Sequence, residues 1–125
     1  MTWFITFIAH LLLGGVFVAY GVRNTRHVER LSGILAKRPF PLARPTVRFG
    51  VGLQIAGGAL TVLAPFYAIC GILGGVAMIV FLVLATVLFH PLWRYKGDER
   101  TPHFTATMLN SSLVGAFLLV IATSL

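Results

Sequence analysis

The chain has 125 residues, 58% hydrophobic and 10% charged, with a mean hydropathy of +0.91, which excludes an ordinary water-soluble domain whose helices need charge along their outer faces. Its formal net charge of +7 raises nucleic acid as a partner. The basic residues, however, crowd into the connections between apolar segments instead of interleaving with aromatics on a polar surface, so anionic lipid headgroups are the expected partner and nucleic acid is not.

The first apolar segment covers residues 3–22. At about 1.5 Å per residue it crosses the roughly 30 Å hydrocarbon core of a bilayer. No basic stretch precedes it and no small-x-small cleavage motif follows it, so it reads as a retained span and not as a signal peptide.

From Arg23 to Pro45 the composition turns basic and proline-rich, with Arg23, Arg26, Arg30, Lys37, Arg38 and Arg44 against Glu29. Within it Val28, Leu31 and Leu35 recur at helical spacing, which predicts a short amphipathic helix lying at the membrane interface. Pro39, Pro41 and Pro45 then oppose its continuation. A second span is expected at 46–63, and Ala64-Pro65 leaves room only for a tight turn into a third span at 66–90. Pro91 ends that pattern. A polar loop holding Arg94, Lys96, Asp98, Glu99 and Arg100 is expected up to Pro102, before a fourth span at 104–124. The expected fold is one all-α transmembrane domain, a four-helix bundle with a short interfacial helix in its first loop.

All ten Lys and Arg lie in or beside the first and third connections. Four spans put those connections on one side, and the positive-inside rule makes that side cytoplasmic, with both termini outside. The expected location is the inner (plasma) membrane.

Close approach through small residues and interhelical hydrogen bonds must do much to hold helices together in lipid. Gly50, Gln54, Gly58 and Thr61 form one stripe on the second span, Gly71 and Gly75 a small-xxx-small pair on the third, and Thr6, His10, Gly14 and Gly21 a face of the first.

Ionisable and amide side chains at membrane depth mark the interior or a cavity. Gln54 and Asn110 fall about 10 Å below the basic boundary, with His90 and Trp93 at the mouth above them and Arg23 and Arg48 on the same rim. One reading makes these six a ligand pocket for an anionic or carbonyl-bearing amphiphile, a quinone head or a phospholipid. The other has Gln54 and Asn110 bonded to each other or to a backbone carbonyl, with Arg48 reaching up to phosphate. His10, buried among apolar neighbours nearer the outer boundary, has no acidic partner. Heme would need a second histidine at its depth, but His90 lies at the opposite surface and His27 and His103 fall in loops. The sequence holds only three carboxylates, none spaced with a histidine on a helix face, so no metal site is expected. No phosphate loop or nucleophile motif is present, and Cys70 alone supports neither an internal disulfide nor a dithiol cycle. An autonomous enzyme is therefore not expected, and no covalent cofactor.

Several short motifs run along the chain: Gly21-Val22-Arg23-Asn24 closing the first span, Phe40-Pro41 in the loop, and Gly52-Leu53-Gln54-Ile55-Ala56-Gly57-Gly58 in the second span. Phe89-His90-Pro91-Leu92-Trp93 ends the third, and Asn110 with Gly115 marks the fourth. In these the chain resembles the DoxX family over nearly its whole length. It departs from the family at Gln54, where Glu is frequent, at Arg23, near a usual Lys, and at Leu109, where Lys often precedes the asparagine. The resemblance implies a small membrane subunit associated with oxidoreductases, including quinone-linked oxidation of sulfur compounds, and it maps Gln54, His90, Trp93 and Asn110 onto motif positions. The leading expectation is a non-catalytic accessory or quinone-interacting subunit with a membrane oxidoreductase partner. The alternative is a lipid or small-solute binding, transport or assembly factor acting alone or as a homo-oligomer.

Overall fold

Twenty-four residues without proline or an acidic side chain form helix α1 (Thr2–Thr25). It is followed by the short α2 (Val28–Ala36), then α3 (Ala43–Leu63), α4 (Ala68–Phe89) and α5 (Arg100–Ser124). The computed structural model describes residues 1–38 and 40–125, and every regular element among them is helical. Pro39, one of the three prolines expected to break the chain after α2, lies outside the described residues. Four of the helices are long enough and apolar enough to cross a bilayer.

Two helix starts differ from the expected ones. Pro45 and Pro102 do not precede α3 and α5 but sit within their first turns, where the N–H that proline lacks has no intrahelical acceptor in any case. The expected loop from Pro91 to Pro102 is correspondingly shorter. It contains two single-turn 3-10 segments, Leu92–Arg94 and Gly97–Glu99, the second opening on Gly97 at φ +62°.

The long helices pack in a row: α1 on α3, α3 on α4 and α4 on α5. Glycines set the separation. A Cβ on Gly58 would stand 2.7 Å from the Gly14 carbonyl oxygen, one on Gly74 2.8 Å from the Thr61 nitrogen, and one on Gly75 2.5 Å from Ile121. These seams close only because the side chain is a hydrogen atom. Among the described residues no comparable backbone seam joins α1 to α5; Phe17 reaches across instead, its ring 5.6 Å from that of the fully buried Phe117. With Met78, Leu82 and Val120 these rings form the main core.

Helix α2 packs its Leu35 against Ala43, Val47 and Val51 of α3, with Leu88 and Phe89 of α4 beside it. Arg38 donates to the Leu88 carbonyl, and the exposed Arg44 pairs with Glu29. The short helix thus covers the ends of α3 and α4 and is anchored to both.

Candidate functional site

A cavity of about 180 Å³ lies beneath α2, between α3 and α4 and beside the end of α1. Its walls are apolar, made by Leu31, Val47, Val51, Phe81, Leu84 and Leu88, and Gly50 leaves open space where a side chain would stand. Three polar side chains with ring or amide nitrogens reach it: Asn24, Gln54 and His90.

The chemistry centres on Gln54, which is 5% exposed. Its Oε1 accepts a hydrogen bond of 3.0 Å from the Asn24 side-chain amide. Among the described residues its Nε2 has no partner, and the one sealed polar atom without a partner is Ser32 Oγ. The free Gln54 N–H groups therefore open onto the cavity, where they suit an acceptor oxygen. At the cavity's other polar point, His90 Nδ1 lies 2.9 Å from Nδ1 of His103. The His103 ring stacks on Tyr95 with centroids 3.9 Å apart.

The six residues expected to form one pocket divide. Gln54 and His90 line the cavity together; Asn110, Trp93, Arg23 and Arg48 do not. Asn110 donates to Thr86 Oγ1 at 2.9 Å, between α5 and α4, so in place of the alternative reading's bond between Gln54 and Asn110, or from each to a backbone carbonyl, there are two separate side-chain pairs. The reason is the row of helices: α3 and α5 flank α4 and do not face each other. Trp93 is 70% exposed. Arg23 is exposed, its guanidinium over the Tyr20 ring at 5.9 Å, and Arg48 is exposed on α3. His10 sits half-buried on α1, its Nδ1 2.7 Å from the Thr6 carbonyl.

Two residues that belong to the site escape a reading of the sequence. Asn24 follows Arg23 in what looks like the start of a polar loop, yet α1 continues past it. His103 lies in the first turn of α5, not in a loop. The Gly-x-Arg-Asn step pointed near the first; nothing in the sequence pointed to the second. Among the described residues no three His, Cys, Asp or Glu side chains gather as a metal site. Comparison with family models, curated proteins and solved structures gives no match.

Proposed function

We propose that this chain is a four-helix membrane protein, its basic loops cytoplasmic and both termini outside, that holds the head of a lipid-soluble, carbonyl-bearing amphiphile of the quinone class. In this reading it is a non-catalytic accessory subunit of a membrane oxidoreductase assembly, in line with its resemblance to the DoxX family. The membrane assignment is supported by the outward faces of the long helices. Leu12, Phe49, Ile69, Leu73, Val83 and Leu119 are half or more exposed there, a surface that water would not tolerate and acyl chains would.

The observation that carries the ligand reading is the Gln54 amide, bonded to Asn24 through its oxygen and turning free N–H groups into a cavity whose walls are mostly apolar. Size narrows the class. Pockets for whole drug-sized ligands hold roughly 300–1,000 Å³, whereas a cavity of about 150 Å³ takes a single six-membered ring. The cavity here therefore suits one ring head with its tail outside, in preference to a phospholipid head carrying two chains.

The test is purification in nanodiscs from native membranes, with mass spectrometry of the retained proteins and lipid-soluble small molecules. A bound quinone or stoichiometric oxidoreductase partner, with the small molecule lost in Gly50→Leu, supports the reading. Gly50 lines the cavity and a Cβ there meets nothing within 4 Å, so a leucine is expected to take up space that the ligand needs. A lone chain carrying only phospholipid, unaffected by that leucine, replaces the reading with the lipid-binding or carrier class.

A further inference from the structure

His90 closes α4 and lines the cavity, while its Nδ1 meets His103 Nδ1 at 2.9 Å. Two imidazole nitrogens at this distance share one proton, so one ring is Nδ1–H and the other presents a bare Nδ1. A neutral imidazole carries a single N–H, and the choice made at Nδ1 therefore fixes the opposite choice at Nε2. With Nδ1 engaged by His103, Nε2 is the nitrogen that His90 has left for a ligand.

Two arrangements follow. When His103 donates, His90 carries its proton on Nε2 and can donate it to a carbonyl oxygen. When His90 donates, its Nε2 is bare and accepts from a hydroxyl. The first becomes the second when a proton from water joins His103 Nε2, the shared proton crosses to His90 Nδ1, and a proton leaves His90 Nε2; both rings are neutral before and after. Among the described residues no other side-chain hydrogen bond holds either ring in one tautomer. Among the described residues neither imidazole has a carboxylate partner. Arg38 is engaged with the Leu88 carbonyl, and Tyr95 meets His103 face to face, with ring planes 10° apart. That stacking braces the His103 ring, so the arrangements exchange by moving protons without turning it.

We propose that His103 is a positioning residue whose shared proton lets His90 serve as donor or acceptor, so that the cavity holds a ring carbonyl and the corresponding ring hydroxyl with comparable affinity. The site is then indifferent to whether its ligand is oxidised or reduced. This rests on the cavity's being an amphiphile site, as proposed above.

The experiment uses the protein in nanodiscs and two probes without redox chemistry, a 4-alkylcyclohexanone and a 4-alkylphenol, at an alkaline pH where imidazole is neutral. Calorimetry should give wild-type affinities within about threefold of each other. His103→Glu places an acceptor opposite His90 Nδ1, holds the proton there and leaves Nε2 bare. Ketone affinity should then fall about tenfold relative to phenol. His103→Gln, whose amide both donates and accepts, should keep the wild-type ratio. Nitrogen NMR of histidine-labelled wild type reads the same equilibrium without a substitution: Nε2–H in His90 with the ketone, Nδ1–H with the phenol. An unchanged ratio in His103→Glu, or one tautomer with both probes, overturns the proposal and leaves the binding site standing. Failure of wild type to bind either probe overturns the amphiphile reading itself.

Discussion

Asn24 at the end of α1 and Gln54 midway along α3 are joined amide to amide, 30 positions apart in the chain, by a hydrogen bond of 3.0 Å. The bond does two things at once. It fixes the register of the first long helix against the second, and it occupies the Gln54 oxygen so that the nitrogen faces the cavity.

Gln54→Leu is expected to abolish retention of a carbonyl-bearing ligand, whereas Asn110→Leu, which loses only the bond to Thr86 away from the cavity, is expected to leave it intact. Ligand recovered per mole of purified protein distinguishes the two. A double-mutant cycle of Asn24→Ala with Gln54→Ala should give a coupling of about 0.5–1.5 kcal/mol in thermal unfolding, the range found for such bonds between membrane helices.

Gly58→Ala places its methyl 2.7 Å from the Gly14 carbonyl oxygen, which is backbone and cannot turn aside. It should cost about 1–3 kcal/mol, the usual toll of overpacking. Gly50→Ala meets open space and gains helix propensity, so it should be neutral or stabilise by up to about 1 kcal/mol. Melting of both variants in one detergent compares them directly.

Arg38→Met removes the donor from the Leu88 carbonyl, one of the last in α4 and without an intrahelical partner. A loss of about 1 kcal/mol is expected. More tellingly, amide exchange followed by mass spectrometry should quicken across Val28–Ala36 and stay unchanged in α1 and α3.

In a Cys70→Ser background, Thr2→Cys should react with an impermeant maleimide on intact cells, and Lys96→Cys only after permeabilisation. The opposite pattern would invert the proposed orientation, which derives from the ten basic residues in the first and third connections.

Long apolar runs are legible without a structure because hydrocarbon length and residue type leave little choice, and Gln54 is legible because an amide stands out in such a run. The helix starts are harder. Proline opposes a helix it would interrupt but favours one it opens, and the sequence around Pro45 and Pro102 is compatible with either. His103 falls on that uncertainty: placed one residue before an expected span it belongs to a loop, placed in the first turn of α5 it faces His90. Partner choice is harder still. Depth along each helix puts Gln54 and Asn110 at the same level, but only the order of helices in space says that α4 stands between them. Hydroxyls show a related limit. Thr61 bonds back to the Gly57 carbonyl and Ser124 to that of Val120, so groups that look like links between helices are spent within their own.

That last feature divides the molecule mechanically. Among the described residues the side-chain hydrogen bonds between long helices, Asn24 to Gln54, Asn110 to Thr86 and His90 to His103, run from mid-helix to the end that carries the arginines. The other half is joined by glycine seams and by the stacked rings of Trp3 and Phe7 against Phe66. Directional bonds resist sliding, while contacts of shape tolerate it. In the proposed bilayer the distal ends are therefore expected to lean first when thickness or lateral tension changes, with the cavity at the hydrogen-bonded end disturbed least.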